Sequence, residues 1–384
     1  MRFIPSGHTL TTALATVAMA SLTCADARAQ GRAPDWQRLA QLITERIAPE
    51  NGERIFLLGA PGVADALVPA LREALTRAGA EDLGAIAVGG SAPAAWGPQR
   101  TLTDSDLASV DVGIMLPGAA PTHAPYAGMQ RVLGAAKGSR ARTVHFHWAG
   151  AYSMSGAIID LTPERAAVYE RALLETDYAA LARKQRQFED AMRGVVVRVT
   201  TPAGTDLSFS IGDRPVTKQD GDASGARARR GRNLIDREVE LPAGAIRVAP
   251  VEESVSGTIA FPAGDWAGER VEGLVMRFAR GQLVSFDARA GRAAVERELQ
   301  VAGAAGRAFR EFALGFNPLL AIPTTGEPWI PYYGYGAGVV RLSLGDNSEL
   351  GGKVTGGYVR WNFFTDATVT VGRDVWVRAG RLIR

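Results

Sequence analysis

Three features of this 384-residue chain predict a layered α/β half followed by a mostly antiparallel α+β half. Between residues 54 and 147, short continuous apolar runs alternate with helical patterns. That texture belongs to a parallel sheet covered on both faces. A stretch rich in Ala, Leu, Glu and Arg then runs from Thr162 to Arg193 and connects the halves. After Gly194 come strand-like runs broken by Gly, Pro and Asp, which indicate mostly antiparallel pairing.

The elements follow in order. Residues 34–48 suggest a lead-in helix. Arg54–Leu58 is a strand ended by Gly59, and residues 64–78 have helical spacing, with Pro69 calling for a kink or a late start. Strands are expected at 84–88, 110–116 and 143–147, which gives a flavodoxin-like or Rossmann-like sandwich. Thr162-Pro163-Glu164 is a helix start with Thr at the N-cap and Pro at N1. One long helix or two lead to Arg193. In the second half helical patterning returns at 291–313, and strands resume from 338. The expected domains are 30–193 and 194–384.

The first 29 residues read as a signal peptide. Arg2 is the basic flank, residues 9–22 are an apolar stretch, and Ala27-Arg28-Ala29 is a small-x-small cleavage pattern before Gln30. The apolar stretch falls short of the roughly 20 residues a membrane span needs. Cys24, the one cysteine, leaves with this segment, so the mature chain has no disulfide and no thiol nucleophile. Export without an anchor predicts a periplasmic or secreted protein with no membrane span. The net charge of +3 is too weak a bias to imply nucleic acid as a partner. Arg227, Arg229, Arg230 and Arg232 cluster in a Gly/Ser/Asp-rich stretch, either a solvated loop or an anion- or membrane-surface contact.

Several segments, in the right order along nearly the whole mature chain, resemble the thermophilic metallo-aminopeptidases of the aminopeptidase T type. They are Thr201-Pro202-Ala203-Gly204-Thr205-Asp206-Leu207, the run LPAGAIRVAPVEESVSG over 241–257, REFALGFNP over 310–318, Thr176-Asp177-Tyr178, and Gly351-Gly352. The resemblance implies an N-terminal α/β domain, a C-terminal domain carrying two metal ions, and a homodimer. Two close cations share a water, lower its pKa and clamp the tetrahedral intermediate. Such a centre is built from carboxylates and imidazoles.

The ligand positions that the resemblance implies are mostly lost. Ala245 stands where the first glutamate is expected, and Glu311 keeps the second, with Arg310 in place of the preceding glycine. Arg341 replaces the first histidine. Ser348 stands near the expected tyrosine, and the closing His-Trp-Asp becomes Arg360-Trp361-Asn362. Arginine cannot ligate a metal, and it brings a fixed positive charge where a cation would sit. A pocket with Arg341 and Arg360 facing Glu311 is therefore expected to hold an anion or an internal ion-pair network, with no metal cofactor.

Other residues are candidates for chemistry. His145 and His147 share one face at the end of a strand, where open α/β sheets bind ligands, but a metal needs a third ligand and His123 is the one other histidine beyond the expected signal peptide. Ser153 and Ser155 lack the first glycine of a nucleophile elbow. Gly59-Ala60-Pro61-Gly62 is a poor phosphate cradle. Trp329, Tyr332, Tyr333 and Tyr335 form an aromatic patch, and Tyr358 and Trp361 lie near Arg360. These rings are core, or they wall a pocket for an anionic ligand. The leading expectation is a pseudoenzyme binding a small anionic ligand or peptide through Arg341, Arg360, Asn362, Tyr335 and Tyr358, with Glu311 as the surviving catalytic position. The rival is an active aminopeptidase whose zinc, cobalt or manganese is held by a rebuilt site using Glu311 with Asp346, Glu349, Asp366 or the histidines. The third is a partner-binding protein whose cavity is filled by its own side chains.

Overall fold

A computed structural model describes residues 33–135 and 139–384. The expected signal peptide, with Cys24 and the Gln30 cleavage point, lies outside the described residues. Among the described residues no helix is long and apolar enough to cross a membrane.

The N-terminal half is a five-stranded parallel sheet in the spatial order Glu238–Leu241, Arg142–Phe146, Val112–Met115, Arg54–Gly59, Glu81–Ala87. Its strands are apolar because both faces are covered. Ile55, Leu57, Ile114, Val144 and Phe146 pack on one side against Leu39, Ile43, Leu67 and Leu71 from the helices Trp36–Ile47 and Leu67–Arg77. Phe56, Leu58 and Met115 face the other way, towards Tyr126 and Met129 of the helix Ala124–Ala135. The late start read from Pro69 is seen: this proline lies in the first turn of Leu67–Arg77, where its missing N–H costs nothing. The connector is two helices, Pro163–Glu175 and Tyr178–Met192, each opened by a side-chain cap from Thr162 and Asp177.

The C-terminal half is a sandwich of two sheets. One runs Val359–Phe364, Val340–Gly345, Phe309–Gly315, Ala245–Val248, Thr217–Lys218, and all its pairings are antiparallel. The other has eight strands and contributes Val197, Val199, Leu207 and Phe209 to a shared core with Ile246, Phe312, Leu314, Leu342 and Leu344. The chain is thus α/β followed by a mostly antiparallel α+β part.

Two elements differ from expectation. Helical patterning to 313 was too long: the helix is Arg292–Gly306, and Phe309–Gly315 is a strand. Its Glu and Ala content favours helix, but Phe312 and Leu314 bury into the sandwich while Glu311 and Ala313 point away, a period of two that tertiary packing enforces. The strand Glu238–Leu241 also joins the N-terminal sheet, pairing parallel with Arg142–Phe146. Val239 and Leu241 enter the apolar core, which leaves Glu238 and Glu240 on the opposite face at the sheet edge. Gly244 then carries the chain into the second sheet, where a Cβ would lie 2.7 Å from the Tyr335 carbonyl oxygen.

Candidate functional site

Two buried polar clusters lie side by side where the halves of the chain meet. The first sits on the antiparallel sheet, on the face turned away from its core. Cross-strand register places Arg247 opposite Ala313, Ala313 opposite Arg341, and Glu311 opposite Ser343. Alternation then puts Arg247, Glu311, Arg341 and Ser343 on one face. The Glu311 carboxylate is fully buried. Arg247 Nη2 donates to its Oε2 at 2.9 Å, Arg341 Nε to its Oε1 at 2.9 Å, and Ser343 Oγ to Oε1 at 3.3 Å. The register slips by one residue between Phe309 and Glu311, a bulge that lets Arg310 approach as well. Arg310 Nη1 lies 3.5 Å from Glu311 Oε2, and Arg310 also bonds Glu349. Arg247 Nη2 reaches Glu349 Oε1 at 3.2 Å. Burial alone would raise the Glu311 carboxyl, but Arg247, Arg341 and Arg310 hold it well below the usual carboxylate range. Burial opposes the charge on Arg247, and the neighbouring Glu311 and Glu349 overcome it, so its pKa rises.

This set does not fit a pair of metal ions. Guanidinium groups fill the space around Glu311, and they have no lone pair to offer a cation. Ala245 is buried on the same strand as Arg247 and offers no ligand atom. Arg341 and Glu311 meet as expected, and Tyr335 lies 6.0 Å from the Arg341 guanidinium. Arg360, Asn362 and Tyr358 do not join them. Trp361 pairs with Ser343 and stacks on Arg341 at 4.5 Å, so alternation turns Arg360 and Asn362 to the other face. There Arg360 lies over the Trp266 ring at 3.5 Å and bonds Glu298 at 2.7 Å, which Tyr358 also holds. The expectation of Arg341 and Arg360 both facing Glu311 is corrected accordingly. Ser348 bonds Asp346 in a tight turn, and its neighbour Glu349 is the residue that enters the cluster.

The second cluster belongs to the parallel sheet. His145 pairs with Glu240 of the neighbouring edge strand, and His147 follows just beyond. His145 Nδ1 lies 3.7 Å from Glu240 Oε1 and His147 Nε2 lies 3.5 Å from Oε2. Burial pushes His145 down to about 4 and lowers His147 too, so both rings are neutral at pH 7. Burial would raise the Glu240 carboxyl, but His145 and His147 first, then Arg247 and Arg341, hold it below its ordinary value. His123, by contrast, accepts the Ala120 N–H through Nδ1 in its own turn.

The loop that carries Tyr332 and Tyr333 joins the clusters. The Tyr333 carbonyl accepts from Arg341 Nη1 at 3.1 Å, and its ring lies 5.5 Å from His147. Trp329, Tyr332 and Tyr335 are buried in a common core. The basic stretch at 227–232 is mostly paired: Arg227 with Asp220, Arg229 with Glu50, and Arg232 with the Asp213 carbonyl.

Arg247 and Glu240 were not singled out as site residues from the sequence, and Tyr333 was read only as one ring of the aromatic patch. Arg247 was signalled by its place two residues after Ala245 in a strand, which fixes the same face. The alternation Glu238-Val239-Glu240-Leu241 marked a two-faced edge strand, but its pairing with His145 could not be read locally.

No protein-family model and no curated protein matches the chain. Solved structures do match. The chain is similar to 2,5-dihydroxypyridine dioxygenase from Pseudomonas putida KT2440, with a TM-score of 0.60 and 16% identity, over 91% of this chain and 96% of that one. It is also similar to AmpT, an aminopeptidase T, from Thermus thermophilus, with a TM-score of 0.56 and 17% identity, over 91% and 99%. A shared fold is what these likenesses establish. Two proteins as different as a dioxygenase and an aminopeptidase on one fold leave the chemistry to be read from the site.

Proposed function

We propose that this chain is an exported, aminopeptidase T-like pseudoenzyme in which a guanidinium–carboxylate cluster replaces the two-metal hydrolytic centre. The cluster holds a small carboxylate-bearing ligand or peptide. A periplasmic or secreted location and a homodimer belong to the same reading. One observation carries it: three arginines, Arg247, Arg310 and Arg341, converge on two carboxylates, Glu311 and Glu349. Arg310 Nε and Nη1 and Arg341 Nη2 are buried with no hydrogen-bond acceptor. Surplus positive charge with unspent donors suits an anionic oxygen. Glu349 marks the way in. Its side chain is 36% exposed, and its carboxylate reaches Arg247 and Arg310 from the solvent side. A ligand carboxylate would take its place.

Thermal-shift and calorimetric titration with amino acids, dipeptides and dicarboxylates tests this. At least one should stabilise the mature protein, with the effect lost in Arg341→Ala and strengthened in Glu349→Gln. Failure of every carboxylate, or equal binding by Arg341→Ala, would sink the proposal. The second reading, an aminopeptidase with a rebuilt metal site, draws on the His145, His147 and Glu240 cluster. Release of leucine or arginine from peptide N-termini, abolished by a chelator, would establish it.

A further inference from the structure

We propose that His145, His147 and Glu240 hold one first-row divalent cation of the zinc class, with a coordination position left open. This inference stands on different residues from the Glu311 cluster and does not depend on it.

Position comes first. Two imidazoles from one strand end and a carboxylate from the neighbouring strand converge at the edge of a parallel sheet, and their ligand atoms all lie within 4.8 Å of one another. Spacing comes second. The 3.7 Å and 3.5 Å nitrogen–oxygen separations are too long for hydrogen bonds, whose mode is about 2.9 Å. An imidazole–carboxylate pair with nothing between would close up. Metal–ligand bonds of about 2.0–2.1 Å in a tetrahedron set ligand atoms roughly 3.3 Å apart, near what is seen. Two nitrogens and a carboxylate suit zinc, iron, cobalt or manganese, whereas calcium and magnesium ask for oxygen throughout.

The surroundings are also built for it. The single Tyr332 Oη proton is shared between the Leu241 carbonyl at 2.8 Å and Glu240 Oε2 at 3.3 Å, which places the phenol behind the carboxylate. Tyr332 and Tyr333 both adopt left-handed backbone, at φ 34° and 53°. Such positions cost of order 1–3 kcal/mol each and persist where the surroundings over-determine them. Here the Tyr332 N–H donates to Tyr169 Oη and the Tyr333 N–H to the Gly150 carbonyl, both at 2.9 Å. The strain is spent on placing two phenol rings beside His147. The side chains of His147 and Glu240 keep 17% and 13% of their surface exposed, so one side of the trio is open. Three protein ligands with an open side is the arrangement of catalytic zinc sites; structural sites are closed by four.

The experiment uses the mature protein, stripped with a chelator, and zinc alone as probe. Titration against a competing zinc chelator should give one equivalent bound, weakened at least about tenfold in Glu240→Gln and in His147→Gln, and about tenfold in Tyr332→Phe. His123→Gln should bind as the unaltered protein does. Cobalt(II) supplies a readout that needs no variant: intense visible bands of a four- or five-coordinate site support the proposal, and the weak bands of an octahedral hydrated ion overturn it. Substoichiometric zinc binding, or unchanged affinity in both Glu240→Gln and His147→Gln, also overturns it.

Discussion

The Glu311 cluster and the His145, His147, Glu240 cluster are neighbours of similar burial and opposite construction. Around Glu311 every carboxylate oxygen has a guanidinium within ion-pair distance, at 2.8–3.5 Å. Guanidinium groups already occupy the space around both oxygens, and a further cation has no place. Around Glu240 the imidazoles stand off by 3.5–3.7 Å, and His145 Nε2 is buried and lacks any hydrogen-bond partner. The comparison teaches that burial does not define a metal site. Ligands at metal spacing with lone pairs free do so, and fixed cations at hydrogen-bond spacing exclude it.

Mutations should separate the two clusters. Glu311→Ala has the largest expected effect. It strands three buried arginines and should cost about 3–5 kcal/mol in urea unfolding. The sign with pH follows from the lowered Glu311 pKa. Its contribution is present above the ordinary carboxyl value of 4.5 and is lost as pH falls towards the folded value. The unaltered protein should therefore lose stability below about pH 4.5, and Glu311→Ala should show a shallower loss there. A parallel acid profile in both would break the assignment. Arg341→Leu comes next, at about 1.5–3 kcal/mol, because it leaves Arg247 on Glu311. If its cost equals that of Glu311→Ala, the cluster is not centred on Glu311.

Smaller effects sharpen the contrast. Arg360→Ala is predicted to cost about 1–2 kcal/mol, through its largely covered pair with Glu298, with carboxylate binding unaltered. Loss of ligand binding in that variant would show that the two faces of the Val359–Phe364 strand communicate. Glu240→Gln in the metal-free protein should change stability by less than about 1 kcal/mol, since it removes a charge that no hydrogen-bonded cation balances. A loss as large as that of Glu311→Ala would mean that the trio is a structural ion pair.

Much of this was legible along the chain. The alternation of apolar runs and helical stretches announced the parallel sheet, and Thr162 and Pro163 announced the connector. The substitution of Arg341 for an expected histidine pointed to a charged cluster at Glu311. The faces were harder. Arg360 and Arg341 look equivalent as residue types, yet one slot of alternation sends Arg360 to Glu298 and brings Trp361 to Arg341. Phe309–Gly315 reads as helix by composition and becomes a strand because Phe312 and Leu314 need the sandwich core.

What the sequence determined by itself is local: the hydrophobic period, the caps and breakers, and the chemistry each side chain brings. Pairing register was decided only by the tertiary structure. It set Glu240 beside His145 across some ninety-five residues of chain, and gathered Arg247, Glu311 and Arg341 from three strands. The physical reason is that side-chain direction in a strand depends on the strand's own period, whereas its neighbour depends on which strand wins the sheet edge. That competition is settled by burial of Val239 and Leu241 in a core assembled from the other half of the chain.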